Sequence, residues 1–325
     1  MKEVLLEVKG MTKHFDVSEG FLKRKKRLLR AVDGVDLTIY SGETLGVVGE
    51  SGCGKSTLGN MLMRLLEPTS GELLFEGIDF SELSGEALRK KRADIQMIFQ
   101  DPFSSLNPRM KVKDVIAEPL KTHKIGTGQD YLEQVYELMD VVGLDRSYAK
   151  RYPHEFSGGQ RQRIGIARAI ALKPKLIICD EPVSALDVSI QAQILNLMAK
   201  LQKEFQLTFL FIAHGLPAVK HISDRIAVMY LGKVVELASK QDLFERPMHP
   251  YTEGLISAVP VPDPKQRTKR KRIVLEGDMP SPVNPPSGCR FHTRCPYAKE
   301  KCSLEEPAFI EREEGHQVAC HYPLY

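Results

Sequence analysis

Eight residues, Gly49-Glu50-Ser51-Gly52-Cys53-Gly54-Lys55-Ser56, have the types and the spacing to hold a chain of phosphates. They fill the pattern G-x-x-x-x-G-K-[ST] in full. The glycines let the backbone take positive φ, so successive N–H groups can point inward and form an anion nest at a helix N-terminus. Lys55 supplies a positive charge for the β and γ phosphates, the Ser56 hydroxyl can ligate Mg²⁺, and Thr57 continues the helix. A second set of oxygens, Asp180 and Glu181, closes the apolar run Leu176-Ile177-Ile178-Cys179. Asp180 can hold Mg²⁺ beside Ser56, directly or through water, and Glu181 is placed to polarise an attacking water as general base. Alone, the first set would be a Gly-rich turn with a stray lysine and the second a capping pair. Both together, in this order, point to phosphate chemistry.

The elements that must position these groups are legible around them. The β-branched run Leu45 to Val48 leads into the loop as a strand, and Ser56 to Leu66 leads out as a helix. Val4 to Val8, Val35 to Tyr40, Leu73 to Phe75 and Ile95 to Phe99 read as further strands. Ala117 to Leu120 and Tyr131 to Val142 suggest a compact helical insert, the latter apolar at Leu132, Val135, Leu138, Met139 and Val142. Lys175 to Cys179 and Leu207 to Ala213 are continuous apolar runs of the kind buried in a parallel sheet, with Val188 to Glu204 a long helix between them. Such alternation implies an α/β fold. The chain shows no internal repeat and no coiled-coil heptads.

With 325 residues the chain suffices for one large domain and a smaller one. Its hydrophobic content of 42% and charged content of 27% are those of a soluble globular protein, and a net charge of +4 is too small to argue for nucleic acid. No apolar run approaches a membrane span and no signal peptide opens the chain, so a cytoplasmic protein is expected. Six cysteines then argue for buried thiols or metal ligands rather than disulfides. Cys53 and Cys179 look like small buried fillers, whereas Cys289, Cys295, Cys302 and Cys320 crowd the end. Half of the 20 prolines also lie from Pro260 onward. A division into 1–259 and 260–325 follows. The basic runs Phe21 to Arg27 and Arg267 to Arg272 read as a solvated loop and a solvated linker; the rival contacts are membrane headgroups or a partner for the first and nucleic acid for the second.

Phe156-Ser157-Gly158-Gly159-Gln160 precedes a helix through Ile164, Ala167, Ile170 and Ala171. Ser157 and Gln160 have capping-box spacing, and the glycines expose N–H groups that could hold a phosphate. At this point residues 1 to about 260 resemble the ATP-binding cassette family. Ser157 to Gln160 matches its signature, with Phe156 in place of the usual leucine. Gln100 matches the loop glutamine that senses metal and transporter. Ser184-Ala185-Leu186-Asp187 matches the loop that bridges two cassettes, His214 the switch histidine at the γ-phosphate, and Phe15 the aromatic that stacks on adenine. One departure is Gly215, where relatives usually carry Asp after the histidine.

The resemblance implies a P-loop nucleotide-binding fold with an antiparallel β subdomain and a helical subdomain at about 101–172. It also implies ATP hydrolysis with Mg²⁺ at Ser56, Gln100 and Asp180, and two cassettes paired head to tail with each ATP between one Lys55-type lysine and the opposite Ser157-type serine. Gln100 to Met110, and His249-Pro250-Tyr251-Thr252 with the Pro-rich tail, resemble the oligopeptide and dipeptide importers, and the loop sequence favours their F-type subunit. That branch implies as partners a non-identical D-type cassette, two permeases and, through the complex, an extracytoplasmic peptide-binding protein, on the cytoplasmic face of a membrane and without nucleic acid. His249 alone is expected to be a packed histidine.

The tail cysteines are separated by 5, 6 and 17 residues, unlike a zinc ribbon. Some importers of this branch carry a [4Fe–4S] cluster at such cysteines. A cluster is expected here, with zinc (aided by His292 or His321) or free thiols as alternatives. Its modest role would be to staple a segment poor in apolar residues. The rival readings of the whole are a soluble cassette ATPase acting on DNA or ribosomes, and a redox-sensing regulatory subunit. Against the first, only residues 101–156 separate Gln100 from Ser157, with no room for a long coiled coil.

Overall fold

The computed structural model describes residues 3–18, 27–126, 128–259, 273, 275 and 277–325. The two basic runs fall almost wholly outside the described residues. Two sheets organise the chain. An antiparallel sheet of order β2-β1-β4-β5 comprises β1 (Val4–Asp16), β2 (Leu28–Tyr40), β4 (Ser70–Phe75) and β5 (Ile78–Asp79). The second has eight strands. Its parallel part runs through β9 (Arg225–Tyr230), β3 (Thr44–Val48), β8 (Thr208–Ala213), β7 (Leu176–Asp180) and β6 (Ile95–Ile98).

The strands β3, β7 and β8 are buried at every position, which is why they read as unbroken apolar runs. Alternate side chains serve two cores. Ile177, Cys179, Phe209 and Phe211 pack toward one cluster with the helical residues Val115, Met139, Ile164 and Met198. Leu176, Ile178, Leu210 and Ile212 pack toward the other with Leu58, Met61 and the antiparallel sheet. The first core is walled by α3 (Val112–His123), α4 (Gly128–Val141), α5 (Gly158–Ile170), α6 (Val188–Phe205) and α7 (Leu216–Ile222); α1 (Lys55–Leu62) contributes to the second, and Leu88 of α2 (Gly85–Lys91) packs against it. The fold expected from the sequence, an α/β cassette with antiparallel and helical parts, is therefore present. The phosphate-loop helix is shorter than its apolar pattern suggests, because Met63 caps it and Arg64 turns to φ +51°.

The tail joins the large sheet. Strand β10 (Lys233–Ser239) pairs with β9 on one side and with β12 (His316–Val318) on the other, and β12 carries β11 (Ile310–Glu313). Neither tail strand is legible as one: all four residues of β11 are exposed, so no alternation marks them. Between β10 and β12 the chain forms α8 (Lys240–Glu245), α9 (Pro250–Ser257) and the short α10 (Glu300–Leu304).

Candidate active site

Backbone shape makes the phosphate loop. Gly49 and Gly54 sit at φ +155° and +106°, and a Cβ on either would lie 2.1 Å from a carbonyl oxygen, of Met229 and Ala31 respectively. Only glycine permits that approach. Lys55 is 3% exposed, and its ammonium donates to the Gly49 and Glu50 carbonyls at 2.8 and 3.0 Å, with His214 Nδ1 3.4 Å away. The loop thus orients its own lysine.

The carboxylates arrive at the ends of the buried strands. Ser56 Oγ donates to Asp180 Oδ1 at 2.9 Å, bringing together the two oxygens expected at Mg²⁺. Glu181, at φ +49°, leaves strand β7 with its N–H still donating to Ile212, so its side chain is turned into the site. Its carboxylate accepts from Gln100 Nε2 at 2.8 Å and meets His214 Nε2 at 2.5 Å. Burial pushes the Glu181 carboxyl above its ordinary range, opposed by His214 and Lys55. Burial likewise raises Asp180 against its Ser56 hydrogen bond. Raising the base strengthens it as a proton acceptor.

Most of these groups line one cavity of about 540 Å³, of a size that suits a nucleotide, while Gly49, Glu50 and Asp180 stand behind its lining. Ser51, Gly52, Gly54, Lys55, Ser56, Thr57, Gln100, Glu181 and His214 line it, and so does Phe15, half-buried on β1. Cys53 is fully buried, as expected of a small filler, with its Sγ 3.8 Å from Lys55 Nζ, and although it belongs to the loop it does not line the cavity. Ser157, Gly158, Gly159 and Gln160 are not brought to this cavity. They start α5, where Ser157 and Gln160 complete the expected reciprocal cap, and Ser157 is exposed. Leu29, Ala31 and Pro282 line the cavity without having been singled out in the sequence. No spacing rule marks them.

A second, much smaller cavity of about 10 Å³ is lined by Cys289, Cys295, Cys302 and Cys320 with His249, His292 and His321. The four thiols are free. Burial pushes Cys289 and Cys320 up to about 11 and also raises Cys295. Gly288 brings the turns together: a Cβ there would lie 2.5 Å from the Cys302 carbonyl, to which the Cys289 N–H donates at 2.8 Å. Among the described residues, however, no group of three or more His, Cys, Asp or Glu is disposed as a metal site. The expected metal centre is therefore represented by converging thiols and not by a formed coordination shell. His249 is packed, as expected. Its Nδ1 accepts from the Tyr251 N–H at the start of α9, and complete burial pushes its pKa down to about 4.

Comparison with known proteins bears on both cavities. The family model described as "ABC transporter" matches residues 32–184, and one described as "Oligopeptide/dipeptide transporter, C-terminal region" matches 235–302. The chain is 57% identical over 321 residues to the oligopeptide transport ATP-binding protein AppF of Bacillus subtilis, covering 98% of each chain. It is 52% identical to OppF of Escherichia coli over 98% of this chain and 96% of that one. The chain belongs to the ABC transporter family. It is an ABC ATPase, and the match at 235–302 extends the kinship into the tail. Among solved structures, the dimeric post-hydrolysis state of the cassette MJ0796 bound to ADP and Pi superposes with a TM-score of 0.65 at 30% identity, covering 73% of this chain and 99% of that one.

Proposed function

We infer that this ABC ATPase energises the import of peptides through a membrane transporter. The observation that carries the chemistry is Glu181, held between Gln100 and His214 beside the Ser56–Asp180 pair in a nucleotide-sized cavity. The names of the relatives, all of peptide transport, carry the cargo class.

The residues divide the work as follows. The loop N–H groups and Lys55 bind the phosphates, with Phe15 stacking on the base. Glu181 takes a proton from the water whose oxygen attacks the γ-phosphorus, while the bond from that phosphorus to the β–γ bridging oxygen breaks and ADP departs. His214 steadies Glu181 and faces the γ-phosphate, and Gln100 ties the site to the surface loop that follows it. Ser56, Asp180 and Gln100 fit Mg²⁺ through their oxygen donors, and the ion would neutralise the β and γ oxygens.

Because Ser157 to Gln160 lie outside their own chain's cavity, they would complete the site of a second cassette, the D-type subunit of the pair. Two permeases and an extracytoplasmic binding protein would complete the assembly, with this chain at the cytoplasmic face. Among the described residues no helix is long and apolar enough to cross a membrane, so the association would be peripheral. We keep the division into a cassette of 1–259 and a tail of 260–325, the tail strands adding to the cassette's sheet. The comparisons support the importer and not a cassette acting on nucleic acid or ribosomes. A tagged pull-down from detergent-solubilised membranes tests this: two permeases and a second, different cassette are expected. Recovery in the soluble fraction with nucleic acid or ribosomes would overturn it.

For the tail we propose a thiolate-bound metal centre at Cys289, Cys295, Cys302 and Cys320, of the [4Fe–4S] kind. Support comes from the donor set, four free thiols around one cavity. At about 10 Å³ that cavity admits a single ion as it stands, and a cluster only if the thiol side chains turn apart. The bound group would supply a cross-link that replaces a missing core, releasing the thiol protons on binding. Anaerobically purified protein should contain iron and acid-labile sulfide; zinc alone, or neither, would reject the cluster.

A further inference from the structure

We propose that Arg294 is a positioning residue for the phosphate loop, through which the cysteine-bearing tail sets the affinity for ATP. The proposal rests on the ATP site described above. Arg294 is almost buried, with 7% of its side chain exposed, and its guanidinium grips Glu50 of the loop with two bonds, Nη1 to Oε2 at 2.7 Å and Nη2 to Oε1 at 3.0 Å. This planar fork fixes orientation as well as distance. Tyr230 OH lies 3.4 Å from Nη1 and completes the setting. Glu50 is held a second time, by its own N–H, which donates to the Tyr251 hydroxyl at 2.9 Å. Its carbonyl in turn accepts from Lys55 Nζ. The residue that orients the phosphate-binding lysine is thus fixed from outside the loop, at its side chain and at its backbone.

Arg294 stands next to Cys295, in the turn that follows Cys289, and its N–H donates to Phe291 at 2.9 Å. Two further contacts join the same tail to the cassette, one of them at the nucleotide cavity. Arg290 donates to the Leu231 carbonyl and pairs with Asp33, and the Pro282 carbonyl accepts from the Arg30 N–H at 3.0 Å while Pro282 lines the cavity. A loop pre-shaped in this way loses less conformational freedom on binding phosphate. Whatever orders the thiol turns therefore favours ATP, and by reciprocity ATP favours the ordered turns.

The test is a double-mutant cycle on the full chain, reading the dissociation constant of MgATP by calorimetry. Arg294→Gln and Glu50→Gln should each weaken binding by about tenfold, and the double variant no further than the weaker single, since both remove one clamp. In the assembled transporter the loss should fall on KM for ATP and not on kcat. Arg294→Lys, which keeps the charge but not the fork, should lie between. Wild-type affinity in Arg294→Gln, or strictly additive losses, would overturn the proposal. Should Arg294→Gln fail to fold, Tyr251→Phe decides: it deletes only the hydroxyl that holds the Glu50 N–H, and should weaken MgATP by about threefold. An unchanged constant there would reject the clamp. Lys55→Ala separates the two readings. If it abolishes binding while the clamp variants bind as wild type, the ATP site stands and the role of Arg294 falls. If binding survives Lys55→Ala, the site itself is wrong.

Discussion

The nucleotide cavity takes its shape from backbone, whereas the thiol cavity takes its shape from side chains. In the first, Gly49 and Gly54 bring the loop against the carbonyls of Met229 and Ala31, and the carboxylates emerge from the ends of strands buried throughout. In the second, four cysteines from a segment with little regular structure meet over a cavity of about 10 Å³, and His249, which also lines it, is tied by its N–H to the buried carboxylate of Glu236. Glu236 accepts from the N–H groups of Met248 and His249 and meets His316 Nε2 at 2.7 Å. The difference teaches where each should be fragile. A site shaped by close backbone approach should be most fragile where a glycine is replaced, while a side-chain-built site depends on its few polar anchors.

The largest expected effect confines itself to the first region. Glu181→Gln keeps the hydrogen-bonding shape beside Gln100 and His214 but removes the proton acceptor. Hydrolysis should fall by about 10²- to 10⁴-fold, with MgATP binding retained and the reactivity of the tail thiols unchanged. Phosphate release and thiol titration measure the two sides, and normal turnover would refute the role given to Glu181.

Next comes the anchor of the second region. Glu236→Ala would leave the buried N–H groups of Met248 and His249 and the His316 ring without their acceptor. A loss of about 3–5 kcal/mol in unfolding free energy is expected, together with faster labelling of the tail cysteines. A variant as stable as wild type would show that the tail does not hang on this carboxylate.

The same contrast explains what could be read beforehand. The phosphate loop and the strand ending in Asp180-Glu181 were legible because phosphate binding demands particular residue types at fixed spacing, whereas Gln100 and His214 were reached only through the resemblance to the cassette family. The central strands were legible because burial on both faces leaves no polar position. The tail was legible only as composition. Its cysteines converge through Gly288 and the fold of the chain around β10 and β12, which no spacing records. Likewise Arg294 and Tyr251 reach Glu50 across more than two hundred residues of sequence. Strand β11, charged and wholly exposed, carries no periodic signal to find.

Gly54→Ala sharpens the backbone half of the comparison. The residue caps α1 at φ +106°, a conformation that by itself costs an L side chain about 1–3 kcal/mol, and its Cβ would meet the Ala31 oxygen at 2.1 Å. ATP binding and the melting temperature should fall together, because the loop must move off the strand that carries Ala31. Wild-type ATP binding in a protein that melts normally would mean that the loop's shape is not set by this approach.

The smallest effect belongs to the one place where the nucleotide cavity relies on a ring. Phe15 is half-buried on β1, with the Lys13 ammonium 5.3 Å from its ring centre, and it faces a cavity whose other apolar lining includes Leu29, Ala31 and Pro282. Stacking on a base adds about 0.5–1.5 kcal/mol beyond the area buried, so Phe15→Ala should weaken ATP by about three- to tenfold and Phe15→Tyr hardly at all. Tripolyphosphate, which has no base, should bind the alanine variant as it binds the wild type, since its partners are the loop N–H groups and Lys55. Equal losses for both ligands would mean that the ring supports the loop instead of the base, adding a second side-chain anchor to the nucleotide cavity beside the one at Glu50.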